Sequence, residues 1–386
     1  MRFLFFAAQY LPTTGGVERY TYNLCRTLAE MGHSCVIVTS ALPSLPERES
    51  DGAVEVVRLP SRLFIGGRFP VIKRNSRFRS VIAEIFGGAY DIAVINTRFY
   101  PLSLFAARHC AKRDIPAIVI EHGTKHLSMD NPVLDFFGNI YEHSAMRYIR
   151  RFCERFFGVS KACCDWLSHF GVKPEGVLYN MVDPDEIMAA AEGSGYHPKE
   201  IFGISKTAPL IVFSSRLIRE KGVFELLGAF EACRGKYPDA ALIMSGDGPL
   251  FDTVREKKPE NVFLVGRLEY ADNLALIKQA DIFALPTYSE GFSSVILEAA
   301  ALGKCVVTTP TGGSRELITG RVSGILIDEV SPGSIENALI YCLSNDGFRA
   351  DAGEKIRLKV SESFTRKKTA SDLVGIVQNS IGVREG

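Results

Sequence analysis

The sequence predicts an α/β chain made of two doubly wound halves. Short, continuous apolar runs alternate with amphipathic helical patterns, and this series breaks once near the middle before starting again. Strands buried on both faces read as unbroken apolar runs, and their alternation with helices implies parallel sheets. The length, 386 residues, suits two domains of ordinary size better than one.

The first-half strands are expected at "RFLFFAA" (2–8), "SCVIVTS" (34–40), "DIAVINT" (91–97), "PAIVIEH" (116–122), "RFFGVS" (155–160) and "GVLYN" (176–180). A helix is expected over 16–31. The opening "MRFLFFAAQYLP" has an apolar core too short for a signal peptide and runs straight into a Gly-rich turn, so it reads as a buried strand. "YNMVDPDEI" then interrupts the pattern with Pro184 and acidic residues, placing a junction near 183–200. The series resumes with "APLIVFSS" (208–215), "AALIMSG" (240–246), "NVFLVG" (261–266), "DIFALP" (281–286), "CVVTT" (305–309) and "GILID" (324–328). The expected domains are 1–182 and 183–365, followed by a helical stretch.

Composition narrows the function. Apolar residues make up 46% and charged residues 23%, as in soluble globular proteins, and a net charge of +1 gives no drive toward nucleic acid. No run reaches the ~18 apolar residues of a membrane span. Nine cysteines, none in C-x2-C spacing and most inside apolar runs, read as buried thiols in a reducing cytosol. A cytoplasmic protein is therefore expected, with a peripheral place on the inner face of the cell membrane as the further expectation.

Parallel sheets bind ligands beyond the carboxyl ends of their strands, so the loops there carry the information. Two such sheets facing each other would enclose a central cleft. After "APLIVFSS", Arg216 and Lys221 stand five positions apart ahead of a helix, and Gly222 permits a tight turn. Two cations at a helix start suit a diphosphate without a metal, against the alternative of a solvated loop pair. "SGDGPL" (245–250) lacks the third glycine and immediate helix of a dinucleotide fingerprint, and no GxxxxGK[ST] is present.

"PTYSEGFSSVILEAAALGKCVV", from Pro286, holds Glu290 at a turn and Glu298 eight positions on, inside the helix expected from Ser293. The helix start, with Gly291, Ser293 and Ser294, offers N–H groups and a positive dipole end to phosphate oxygens. From these positions Glu290 can reach toward a sugar, and Glu298 can accept hydrogen bonds from a ribose diol. A glycosidase pair is the rival. At ~1.5 Å rise per residue, eight positions span about 12 Å, beyond the 5–9.5 Å separation of hydrolytic carboxylates.

The segment "EGFSSVILEAAALGKCVVTTPTGGSREL" resembles the E-x7-E signature of family-four retaining glycosyltransferases with the GT-B fold, two Rossmann-like domains facing a cleft. "GGVERYTYNLCRTLAEMGHSCVIVT", "GVSKACCDWL", "LYNMVDPDEI", "SSRLIREKG" and "NVFLVGRLEYADNLALIKQADIFALP" are similar to family segments in the same order. The resemblance implies that Arg216 and Lys221 bind the donor diphosphate, Glu298 the donor ribose and Glu290 the transferred sugar. Gly291, Phe292, Ser293 and Ser294 form the phosphate-facing turn. Gly266 and Arg267 lie by the nucleobase, and Gly15 and Gly16 bring backbone to the phosphates. His122, with His126 as competitor, takes the family's sugar-facing histidine position. The first domain is expected to bind acceptor, the second donor, and the helix 366–386 to cross back to the first. Many members carry Gly-Leu or Gly-Ile where this chain has Ser293-Ser294, which leaves donor-sugar preference open.

The function so implied is a retaining, metal-independent hexosyl transfer from a UDP- or GDP-linked sugar, with no cofactor and no bound metal. The acceptor would be a glycan or a polyprenyl-diphosphate-linked glycan in the synthesis of bacterial surface polysaccharide, lipopolysaccharide or glycolipid. The alternative is a catalytically silent sugar-nucleotide-binding subunit. "SRLFIGGRFPVIKRNSRFRSVIAEIF", with Arg62, Arg68, Lys73, Arg74, Arg77 and Arg79, mixes cations with apolar residues and suits an anionic membrane surface. A second basic helix is expected to carry Arg147, Arg150, Arg151 and Arg155.

Overall fold

The computed structural model describes residues 1–382 except Thr14, Ser44, Ile65, Gly66, Arg68, Met129 and Asp130, with side chains as far as Asn379. The chain divides into two compact units. One comprises Met1–Asn180 with the C-terminal helix Arg366–Gly382, the other Met181–Thr365.

The first unit is built on an eight-stranded sheet in the order Gly176–Val177, Arg155–Gly158, Ala117–Glu121, Ile92–Asn96, Arg2–Phe6, Ser34–Ser40, Val54–Leu59, Arg48–Asp51. All neighbours are parallel except the last pair. The apolar runs become central strands because both faces are covered; Phe3, Leu4, Phe5 and Phe6 are all buried. Val54–Leu59 has no such run in sequence, since Glu55 and Arg58 interrupt it. Its charges are met across the edge: Arg58, itself buried, pairs with Glu49, and Glu55 with Arg48 at 2.8 Å. The C-terminal helix docks on this unit through Leu373 and Val377, and Thr369 Oγ1 donates to Tyr179 O at 3.1 Å.

The basic stretch from Ser61 folds as an antiparallel hairpin, Ser61–Phe64 with Phe69–Ile72, followed by the helix Ser76–Ile85. Arg68 lies outside the described residues. The second basic helix takes a different form. The helix is Pro132–Ile149, Arg150 closes it, and Arg155 opens a strand with its guanidinium against Glu175 at 2.8 Å. The expected charge row is divided because Arg150 and Phe152 turn the chain into that strand. On the helix itself the exposed residues are largely apolar: Val133, Leu134, Phe136, Phe137 and Ile140.

The second unit carries a six-stranded sheet in the order Val262–Gly266, Ala241–Ser245, Leu210–Ser214, Ile282–Leu285, Cys305–Thr308, Ile325–Leu326, all parallel. Val212 lies opposite both Ile243 and Phe283. The acidic break after Asn180 is a helix start. Asp183 Oδ1 accepts from the N–H groups of Asp185 and Glu186 at 3.1 Å, with Pro184 in the first turn of Pro184–Gly193. Its carboxylate is thus engaged in capping.

Candidate active site

In sequence order, the second sheet reads third, second, first, fourth, fifth, sixth strand. The direction of winding reverses between Leu210–Ser214 and Ile282–Leu285, and at such a switch point the loops part and leave room for a ligand. The loop after the first of these strands carries Arg216 and Lys221. The loop after the other carries Glu290 and leads into the helix with Glu298. These four sequence-derived residues therefore follow the two central strands of this sheet, at the point where topology favours binding.

The loops are locked by backbone contact. Gly222 has φ +65°, and a Cβ there would lie 2.1 Å from the carbonyl oxygen of Pro286, so only glycine fits. Tyr288 N and Thr287 Oγ1 both donate to Glu220 O, at 2.8 and 2.9 Å. This apposition brings the Lys221 ammonium onto the Glu290 carboxylate through Oε1, and Lys221 is only 8% exposed. Arg216 is exposed on the same loop.

The helix Ser294–Ala301 follows, with Ser293 at the N-cap position. The Ser293 hydroxyl makes no capping hydrogen bond. Glu298 lies in the helix interior and is 5% exposed. Phe292 is buried with its ring edge-on to Phe364, centroids 5.1 Å apart. A Cβ on Gly313 would sit 2.3 Å from that ring, and Gly313 N donates to Gly291 O at 3.0 Å. Gly312-Gly313 is thus a support for the Glu290 turn that the sequence alone did not single out, although two adjacent glycines after a strand are a signal. Gly266 ends its strand at φ +70° and accepts from Gly246 N at 2.8 Å, while Arg267 is exposed beside it. "SGDGPL" is structural: Cβ atoms at Gly246 and Gly248 would strike the carbonyl oxygens of Ser215 and Leu217 at 1.8 and 2.6 Å.

In the first unit, Gly15 and Gly16 are exposed where the helix Gly16–Glu30 begins. A Cβ at Gly16 would meet nothing within 4 Å, so the fold does not demand glycine at that position. His122 follows the strand Ala117–Glu121, and its ring stands edge-on to Tyr20 at 4.8 Å. Thr21 Oγ1 donates to Val17 O at 2.8 Å and so accepts from Asn96 Nδ2 at 3.0 Å. This leaves Asn96 Oδ1 to accept from His122 Nε2 at 2.8 Å. The chain fixes the tautomer with its proton on Nε2 and its lone pair on Nδ1. Burial pushes the His122 imidazole down to about 3, so it is neutral near pH 7.

Behind His122 lies a group that the sequence did not single out. Arg98, 1% exposed, pairs through Nη1 with Glu121 and through Nη2 with Glu142, both buried. Glu121 Oε1 also accepts from the N–H groups of His122 and Gly123 at 3.1 and 3.0 Å, and Glu142 Oε1 from Leu127 N at 2.8 Å. A buried guanidinium between two carboxylates thus pins both ends of the 122–127 loop. His126, the rival to His122, points into a different environment, with Nδ1 3.2 Å from Glu142 Oε2.

Comparison with known proteins bears on these groups. Residues 14–186 match the family model described as Glycosyltransferase Family 4, and residues 198–359 the one described as Glycosyl transferases group 1. An uncharacterized glycosyltransferase of Methanocaldococcus jannaschii is 24% identical over 99% of both chains. A Corynebacterium glutamicum enzyme, the GDP-mannose-dependent monoacylated alpha-(1-6)-phosphatidylinositol monomannoside mannosyltransferase, is 31% identical over 46% of this chain and 49% of its own. A subunit of the human phosphatidylinositol N-acetylglucosaminyltransferase is 25% identical over 80% of this chain and 62% of its own. Among solved structures, sucrose-phosphate synthase from Thermosynechococcus elongatus matches with TM-score 0.77 at 16% identity over 99% of both chains. HepE of Anabaena, solved in complex with UDP-glucose, matches with TM-score 0.74 at 19% identity over 98% of this chain and 100% of its own. These likenesses carry the GT-B fold class.

Proposed function

The chain belongs to the group 1 and family 4 glycosyltransferases, and on that premise we propose that it transfers a hexosyl group from a UDP- or GDP-linked sugar with retention and without a metal. The observation that carries this reading is the meeting of Lys221 and Glu290 at the switch point of the second unit, beside a helix start. The chemistry follows from charge. When the glycosidic bond to the nucleoside diphosphate breaks, negative charge collects on the leaving phosphate. Arg216, Lys221 and the N–H groups opening Ser294–Ala301 are fixed positive ends aimed at that charge. Lys221 exchanges Glu290 for the diphosphate as donor arrives. The released carboxylate orients the sugar and offsets the positive charge of an oxocarbenium-like centre. A leaving phosphate oxygen takes the acceptor proton on the same face, which retains configuration. Glu298 accepts from the ribose diol, and Gly266-Arg267 borders the base. In the first unit, exposed Gly15-Gly16 allows phosphate oxygens close to backbone N–H groups. His122, neutral with its lone pair on Nδ1, accepts a hydrogen bond from a sugar hydroxyl.

The acceptor is proposed to be a lipid-linked glycan in surface polysaccharide or glycolipid synthesis. The names of two relatives, which place their chemistry on phosphatidylinositol lipids, support this. So does the exposed apolar row on Pro132–Ile149, where Phe136 and Phe137 are 61% and 62% exposed. The hairpin, with exposed Leu63, Phe64 and Arg62, adjoins that helix through Phe69 against Tyr141, ring centroids 5.9 Å apart. Apolar side chains beside cations suit an anionic bilayer surface. Among the described residues, no helix is long and apolar enough to cross a membrane.

Calorimetric titration with UDP, GDP and ADP in EDTA tests the donor site. One of the first two is expected to bind, with Arg216→Ala and Lys221→Ala each weakening it roughly tenfold or more. Equal affinity in wild type and both variants would refute the site.

A further inference from the structure

Three histidines, distant in sequence, meet on the first unit. His126 comes from the loop after Ala117–Glu121, His143 from the helix Pro132–Ile149 and His169 from the last turn of Lys161–His169. One ring nitrogen from each lies within 4.8 Å of its counterparts. We propose that His126, His143 and His169 form a site for a zinc-type divalent transition metal.

Three observations carry it. The first is reach. In a tetrahedral zinc site with Zn–N near 2.0–2.1 Å, ligand nitrogens stand about 3.3 Å apart. Closing from 4.8 Å takes a movement of about 1.5 Å, shared between His143 and His169, whose side chains are exposed and can move. The second is the outer shell. Metal-bound histidines present their other nitrogen to a carboxylate, which sets ring orientation. Glu142 Oε2 lies 3.2 Å from His126 Nδ1 without yet forming a hydrogen bond, so a small turn of the ring brings the two into that relation, and Glu142 is itself held by Arg98 and Leu127 N. The third is charge: Glu142 brings a carboxylate beside the rings, and the Arg98 guanidinium that holds it is shared with a second carboxylate, Glu121.

Trp166 packs against two of the three rings. Trp166 stacks on His169 at 4.8 Å with planes 3° apart, and stands edge-on to His126 at 4.9 Å. Three protein nitrogens leave a fourth tetrahedral position for water or an anionic ligand. Bound metal would also tie the 122–127 loop to two helices. The inference stands on these side chains alone and does not depend on the transferase reading.

Tag-free protein titrated with Zn²⁺ against a chromophoric chelator tests it, with Co²⁺ absorption as the second readout. We expect one Zn²⁺ per chain, binding roughly tenfold or more weaker in His143→Ala and in His169→Ala, and a tetrahedral Co²⁺ spectrum without thiolate charge transfer. Both substituted residues are exposed, so the variants keep the fold, and a zinc-dependent rise in Tm should be confined to wild type. Unchanged zinc affinity in the double variant, a thiolate signature, or no zinc bound by wild type would each overturn the proposal.

Discussion

Lys221 and Glu290 lie 69 positions apart in the chain, and their contact is the strongest residue-scale statement about the site. Both are largely shielded from water, so removing one partner strands a charge. Lys221→Met or Glu290→Gln should each cost roughly 3 kcal/mol, and the double variant should lie within about 1 kcal/mol of wild type. Denaturant unfolding of all four proteins measures this, and strict additivity would show that the pair is not coupled. Donor turnover should not recover in the double variant, because the charges serve the reaction separately. His122 gives a pH prediction. Its folded value is about 3 against an ordinary 6.5, so below pH 6.5 the unfolded chain takes a proton that the folded chain refuses. Stability is therefore full above pH 6.5 and falls as pH drops from there toward 3, by up to about 1.4 kcal/mol per unit. Between pH 6.5 and 4.5 the wild-type Tm should fall more steeply than that of His122→Gln. Parallel curves would show that burial of the ring is not what sets its charge.

Two glycines separate folding from function at the scale of elements. Gly222 joins the turn Arg219–Lys221 to the helix Val223–Arg234 in a left-handed conformation against Pro286 O. Gly222→Ala should lose at least about 2 kcal/mol, the left-handed strain and the displaced loop together. Gly16→Ala meets open space at a helix start, so its Tm should hold or rise while donor-dependent turnover falls. A Gly16→Ala protein with full turnover would remove the Gly15-Gly16 turn from the site. These elements also show what the sequence could reveal. The central strands were legible because burial on both faces demands unbroken apolar runs. Val54–Leu59 was not, since Glu55 and Arg58 are tolerated there only through partners on Arg48–Asp51, a long-range pairing. Arg216, Lys221 and Glu290 were visible as polar residues after strands, and Glu298 as a carboxylate inside an apolar helical run. Arg98, Glu121 and Glu142 were not, being single charges in three separate segments that become a unit only when folded. The same holds for His126, His143 and His169, whose spacings of 17 and 26 positions match no local ligand pattern.

For the whole molecule, sugar transfer without a metal and membrane attachment through the apolar surface of the first unit are the two proposals open to test. Flotation with vesicles tests the surface. The protein should float with anionic vesicles more than with neutral ones, and Phe136→Glu/Phe137→Glu should abolish the shift with little change in Tm, both side chains being exposed. Sedimentation of wild type and variant alike, whatever the lipid, would remove the membrane from the account. The reaction is tested most directly by nucleoside diphosphate release from UDP- and GDP-sugars in EDTA, for wild type, Lys221→Ala and Glu290→Ala. Wild type should release nucleoside diphosphate undiminished by chelation, and each variant should lose about 100-fold or more of that release. Release that stops in EDTA and returns with magnesium, or that persists at the wild-type rate in both variants, would contradict it.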